Sequence, residues 1–143
     1  MKIGFGSDHA GYELKELLKD EVLKMGNTIN DFGTHSSEST DYPDYAHSLA
    51  SSVEKKEVKL GIAICGSGNG ISMALNKHQD IRAALCWSTE LAELARLHND
   101  ANVLSLPARF ISKEQAIAIV KVFIKAKFEG GRHQRRVDKI SCS

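Results

Sequence analysis

Short apolar runs of strand type alternate along this chain with longer stretches in which apolar residues recur every three or four positions, the spacing of one helical face. Lys2 to Gly6 is the first strand candidate, followed by Leu14, Leu17, Leu18, Val22 and Met25 on one helical face, with Gly26 where a helix-ending glycine belongs. Thr28 to Phe32 reads as a second strand closed by Gly33, and Thr34 to Asp41 as a polar loop. Tyr42-Pro43 opens a helix whose Ala46, Leu49, Ala50 and Val53 share a face. Leu60 to Ile64 is a third strand, cut off by glycines at 66, 68 and 70 before helical spacing resumes. Ile81 to Trp87 is a fourth strand, and Ser88 or Thr89 caps a helix with Leu91, Leu94 and Ala95 as its apolar stripe. Asn102 to Leu106 is a short fifth strand. Ser112 and Gln115 form a capping box for a helix that turns Ala116, Ile119, Val120, Phe123 and Ile124 inward. A basic tail beginning Gly130-Gly131-Arg132 breaks that pattern before a last short helix.

Strands that alternate with helices, at connection lengths too long for hairpins, predict a doubly wound α/β domain with a five-stranded parallel sheet and helices on both faces. In such sheets ligands sit at the carboxyl ends of the strands, near the point where strand order reverses. Two polar clusters fall there: Asp8-His9 after the first strand and Cys65 to Gly70 after the third. They face each other if those strands are neighbours.

Composition narrows the function. A chain of 143 residues fits one domain that buries about two thirds of its unfolded surface. Lys plus Arg number 19 against 18 for Asp plus Glu, so no net field favours nucleic acid or an acidic membrane surface. Three irregularly spaced cysteines argue against a disulfide framework and for a reducing compartment. The first residues enter a strand pattern with no signal peptide, and no apolar run reaches membrane-span length; the expected location is cytoplasmic.

The stretch Cys65-Gly66-Ser67-Gly68-Asn69-Gly70 carries the candidate chemistry. Glycines at this spacing let backbone N–H groups turn inward at a helix N-terminus, where they hold an anion or a developing oxyanion. The spacing matches neither an NTPase phosphate loop nor a dinucleotide fingerprint. Cys65 at the loop's edge is a candidate general base, since a thiol beside such amides ionises more readily; a plain turn with a buried cysteine explains the same pattern. Asp8 and His9 can polarise a substrate hydroxyl, and Asp8 can equally be only an N-cap. His98, in His98-Asn99-Asp100, suits a helix end, yet it falls seven residues from Leu91 and so is expected on the apolar side. Arg109, Arg132 and Arg136 are candidates for gripping a phosphate, or for a solvated surface. His35, His47, His78 and His133 are assigned to the surface or to minor roles. No Cys/His group has metal-ligand spacing, so no metal and no cofactor is expected.

Taken together, these segments resemble the ribose-5-phosphate isomerase B family, which includes galactose-6-phosphate isomerase subunits and allose-6-phosphate isomerases. The resemblance covers essentially the whole length: Gly-Ser-Asp-His-Ala-Gly at 6 to 11, Thr-Asp-Tyr-Pro-Asp-Tyr-Ala at 40 to 46, Ile-Cys-Gly-Ser-Gly-Asn-Gly-Ile-Ser at 64 to 72, Asn-Lys at 76 to 77, Ile-Arg-Ala-Ala at 81 to 84, His-Asn-Asp-Ala-Asn-Val-Leu at 98 to 104, and Glu-Gly-Gly-Arg-His-Gln-Arg-Arg-Val at 129 to 137. It implies a metal-independent aldose-ketose isomerase of the pentose phosphate pathway that works through a cis-enediolate. By the same resemblance Cys65 is the base, Ser67 assists proton transfer between oxygens, and the amides of Gly66 through Gly70, including Gly68 and Asn69, stabilise the enediolate with Asn99. His98 with Asp8 opens the sugar ring, while His9, Arg109, Arg132 and Arg136 bind phosphate and Tyr42 lines the sugar site. Some members carry a glutamate where this chain has Ile71 and lack the cysteine; here Cys65 is the loop's one candidate base. The resemblance further implies a homodimer with shared sites, capable of pairing into a dimer of dimers, in which the His98-Asn99 and Arg109 region enters from the partner. The alternatives are an isomerase of a six-carbon sugar phosphate and, from another class, a non-catalytic phosphosugar-binding module, which would need no base.

Overall fold

The computed structural model describes residues 1–142. Five strands, β1 (Lys2–Ser7), β2 (Thr28–Asp31), β3 (Leu60–Cys65), β4 (Ala83–Leu85) and β5 (Val103–Pro107), form one sheet in the order β2-β1-β3-β5-β4. Every pairing is parallel, so each connection must cross over, and six α-helices run through these connections and the tail: α1 (Tyr12–Lys24), α2 (Tyr42–Glu54), α3 (Asn69–Leu75), α4 (Thr89–Asn99), α5 (Lys113–Lys125) and α6 (Arg132–Asp138). The expected doubly wound three-layer fold is present. Strand order reverses between β1 and β3.

Alternation along the strands divides the core in two. Ile3, Phe5, Leu60, Ile62, Ile64, Leu104 and Leu106 point to the face covered by α1, α4 and α5, where Leu18, Ala92, Ile119 and Phe123 meet them. The opposite face carries Ala63, Cys65 and Val103 and is covered by α2 and α3 through Leu49, Ala50, Ile71 and Leu75. Small residues on that face let α2 lie close. A Cβ at Gly4 would stand 2.6 Å from Leu49 Cδ1.

Local signals explain the helix starts. Ser88 Oγ accepts from the Leu91 amide, and Ser112 and Gln115 make both bonds of the capping box. The expected fourth strand, 81 to 87, is shorter. At this sheet edge the backbone pairs with β5 alone, and Ile81 is taken into a turn by its amide bond to His78 O. On α1 the buried positions are Leu14, Lys15, Leu18 and Val22, with Leu17 and Met25 only packed against their margin. Leu94, expected inward on α4, is 44% exposed.

Lys15 is fully buried, its ammonium 2.6 Å from Asp31 Oδ2 and 3.3 Å from Glu16 Oε1. Lys19 reaches the same Asp31 oxygen at 2.7 Å. Burial pushes the Asp31 carboxyl up, but Lys15, Lys19 and the Gly33 amide outweigh it and hold the group below the usual carboxylate range. Asp31→Asn strips Lys15 of its nearer and more buried charged partner, leaving only Glu16 at 3.3 Å, and is expected to cost roughly 3 kcal/mol in urea unfolding at neutral pH. Because the folded carboxyl is depressed, its contribution is present above the unfolded value near ~3.9 and is lost as pH falls through the folded one. The difference between wild type and variant should therefore close in acid.

Candidate active site

At the reversal point the ends of β1 and β3 are neighbours, Ser7 pairing with Ile64, and the Asp8 amide donates to Ile64 O at 3.3 Å. The two polar clusters read from the sequence therefore meet at one crevice. Asp8 is buried and caps the short 3-10 turn His9–Gly11, its Oδ1 accepting from the Gly11 amide at 3.2 Å. Thus the capping role is real, and among the described residues Oδ2 makes no hydrogen bond within the chain. His9 Nδ1 accepts from the Thr40 amide at 3.1 Å, so in the neutral ring the proton belongs on Nε2, which is left to donate toward a ligand.

Cys65 ends β3 almost fully buried. Its carbonyl accepts from Ala108 and that of Gly66 from Arg109, both at 3.0 Å, which fixes the start of the loop against the end of β5. Gly68 adopts φ +75, a left-handed turn that starts α3, and the Ser72 hydroxyl bonds its carbonyl at 2.7 Å. Ser67 is exposed and accepts from the Asn69 amide at 3.2 Å, so that amide is engaged before any ligand arrives. The Gly70 and Ile71 amides stand in the helix's first turn, where no helical acceptor exists. Tyr42 lies over the loop so closely that a Cβ at Gly70 would be 2.5 Å from its ring. Arg109 covers the loop's other end, with Nη1 3.0 Å from where a Gly66 Cβ would be. This corrects the expectation that Arg109 enters from a partner: it sits with Cys65 of its own chain.

His98 and Asn99 are elsewhere. The Gly61 amide bonds Asn102 O, which sets residue 102 level with the start of β3. Cys65 lies four residues farther along, about 13 Å at strand rise. Since α4 runs back from the carboxyl end of β4, its last turn belongs to the amino end of the sheet, beyond β5 and over the edge strand. Within one chain Cys65 and His98 are at opposite ends. His98 is not tucked under its helix either: it is about one third exposed and lines an open groove of about 480 Å³ with Leu91, Leu94, Asn99, His133 and Arg136. The phosphate-binding candidates are accordingly split, His9 and Arg109 at the Cys65 end, Arg136 with His98, and Arg132 exposed at the start of α6.

Sequence reading missed His133. Assigned to the surface, it is buried and stacks on His98 with ring centroids 4.1 Å apart and planes 12° from parallel. Desolvation, then the charges of His98 and Arg132, push its imidazole below the ordinary histidine value. Glu129, four residues before it, brings a carboxylate to the same pair, a spacing visible in the sequence once His98 is known to be near. Elsewhere His78 bridges Glu54 at 2.9 Å and His47 at 2.8 Å, a chain on the outer side of α2. Cys86 is buried beside β4, and burial pushes its thiol up to about 11, so it stays protonated and unreactive.

The chain matches the model of the family described as Ribose/Galactose Isomerase over residues 3–140. It is 47% identical over 141 residues to ribose-5-phosphate isomerase B of Escherichia coli, covering 99% of this chain and 95% of that protein. The ribose-5-phosphate isomerase B structure from Clostridium thermocellum superposes with a TM-score of 0.97 at 50% identity, covering 98% of this chain and 95% of that one. That of Mycoplasma genitalium, with bound ribulose-5-phosphate, gives 0.94 at 45% identity, covering 97% and 93%. The chain therefore belongs to the ribose/galactose isomerase family and is an isomerase. Among the described residues no helix is long and apolar enough to cross a membrane.

Proposed function

We propose that this protein interconverts ribose 5-phosphate and ribulose 5-phosphate through a cis-enediolate, as a cytoplasmic enzyme of the pentose phosphate pathway. The observation that carries this reading is the ribulose-5-phosphate bound by the Mycoplasma genitalium relative, whose fold this chain reproduces nearly end to end. In the proposed reaction the Cys65 thiolate takes a proton from C2 of the open-chain aldose and returns it to C1. Ser67 passes the hydroxyl proton between O2 and O1, and the loop amides with Asn99 hold the oxygen charge that develops between the two steps. His98 and Asp8 open the furanose, Tyr42 lines the sugar, and His9, Arg109, Arg132 and Arg136 hold the phosphate. Three free cysteines suit a reducing cytoplasm.

The competent form is proposed to be a homodimer that brings His98, Asn99, Arg132 and Arg136 of one chain to the Cys65 loop of the other. Two features support this: the separation of the two half-sites within one chain, and exposed Trp87 and Phe110 beside Ser67 and Asn69, 58% and 74% exposed. Apolar side chains left this open beside a polar site call for a covering surface.

The deciding experiment assays isomerisation of ribose 5-phosphate and allose 6-phosphate side by side. A higher kcat/KM for the pentose is expected; preference for the hexose would reassign the substrate, and inactivity on both with retained phosphosugar binding would make the protein a binding module. Arg132→Ala and Arg136→Ala are expected to raise KM more than they lower kcat, because the phosphate stays remote from the reacting carbons. A pure kcat defect in steady-state kinetics would move them to the chemistry.

A further inference from the structure

We propose that His98, Glu129 and His133 form a site for one divalent transition-metal ion, best matched by Zn²⁺, and that its occupancy switches the isomerase off. Potential ligand atoms of all three residues lie within 4.8 Å of one another, a grouping that their positions in the sequence conceal. Glu129 Oε1 is 3.8 Å from His98 Nε2 and Oε2 is 3.9 Å from His133 Nε2, too far for hydrogen bonds. The three groups therefore converge without satisfying one another. Zinc at about 2.0 to 2.1 Å from each ligand would set ligand atoms roughly 3.4 Å apart, so the two Glu129–histidine gaps have to close by about half an ångström and the widest pair, bounded at 4.8 Å, by up to about 1.4 Å.

The parts can make that movement. Glu129 is half exposed and His98 about one third exposed, whereas His133 is buried and serves as the fixed member. Because the imidazoles are nearly parallel, one ring must also turn about its Cβ–Cγ bond to aim its lone pair, and His98 at the groove wall has the room. The segments are already tied together, the Glu129 amide donating to Leu97 O and the His133 amide to Gly130 O, both at 3.0 Å. Two imidazoles and one carboxylate, with a fourth position open to the groove, suit Zn²⁺ or Co²⁺ and not the oxygen-seeking Mg²⁺ or Ca²⁺. Arg132 and Arg136 on the same short helix oppose a cation, but both are exposed and solvated, so affinity is expected in the micromolar range. A metal-bound His98 cannot exchange a proton with a sugar; this inhibitory half rests on the proposed role of His98, whereas binding does not.

The test uses full-length protein carrying Cys142→Ser, which removes the exposed thiol, stripped of metal with a chelator and titrated with Co²⁺ and then Zn²⁺. One Co²⁺ per chain with visible bands of nitrogen and oxygen ligation, displaced by Zn²⁺, is expected. Binding should weaken by about tenfold or more in Glu129→Gln and His133→Gln, with circular dichroism verifying each fold. His47→Gln, on the other histidine pair, should bind as the parent does. Zinc should abolish turnover and chelator restore it, while Glu129→Gln stays active at the same zinc concentration. Absent binding, or binding unchanged in both variants, overturns the site. Binding at these residues without loss of turnover overturns the switch and counts against His98 in ring opening. Absence of turnover in stripped protein is a failure of the functional reading, distinguishable because the cobalt spectrum is read without substrate.

Discussion

Cys65→Ala is expected to lower the rate of proton exchange at the carbon beside the carbonyl by about two to four orders of magnitude, the usual cost of removing a general base. The fold should survive. Cys65 is packed with Ala63, Leu49 and Val103 in the core beneath α2 and α3, and alanine deletes one atom while keeping the apolar contacts of the Cβ. Phosphate-dependent binding should also survive, since His9, Arg109, Arg132 and Arg136 are untouched. The measurement is solvent deuterium incorporation into ribose 5-phosphate, followed by mass spectrometry, beside equilibrium binding of a phosphosugar. The neighbours leave no substitute in the loop: Ile71, where some relatives carry a glutamate, is fully buried and has no titratable group. Near-normal exchange in the variant would mean that the base lies outside the loop and would remove the main chemical argument for it.

What the sequence made legible is governed by how local each signal is. The alternation of strands and helices, the Ser112–Gln115 capping box and a cap at Ser88 or Thr89 depend on neighbours within four residues; the first two appear as read, and the structure gives the cap to Ser88. The meeting of Asp8 with the Cys65 loop was legible as a condition, because it needed only that β1 and β3 be adjacent. By contrast, Lys15 reads as a polar position on α1, and nothing within four residues reveals that it will be buried against Asp31 of the next strand. His133 was misjudged for the same reason. It looks like part of a solvated basic tail, and only the return of α6 against α4 buries it beneath His98. Arg109 was assigned to the wrong side because the resemblance names a region, whereas the fold shows a side chain: the turn after β5 hydrogen-bonds to Gly66 and holds the guanidinium over its own loop.

The separation of His98 from Cys65 gives an all-or-none expectation. Cys65→Ala and His98→Asn, each inactive alone, should regain activity when mixed under conditions where subunits exchange. In a homodimer whose sites draw Cys65 from one chain and His98 from the other, a mixed dimer holds one site with both defects and one with neither. Random exchange of equal amounts makes about half the dimers mixed, each with one intact site, so roughly a quarter of wild-type activity should return. If His98 served the Cys65 of its own chain, every site would keep one defect and mixing would restore nothing. The geometry favours the first outcome, because His98 closes the far end of α4 and would have to cross about 13 Å along the strands, as well as β5, to reach its own Cys65. Arg136, which lines the groove with His98, provides an independent check: at substrate far below the raised KM of the arginine variants, a mixture of Arg136→Ala with Cys65→Ala should show low-KM activity that neither parent has, whereas a mixture of Arg109→Ala, on the Cys65 side, with Cys65→Ala should not. Complementation by Arg109→Ala, or its failure in both His98→Asn and Arg136→Ala mixtures with exchange verified by mass spectrometry, would show that the two half-sites do not combine across the dimer.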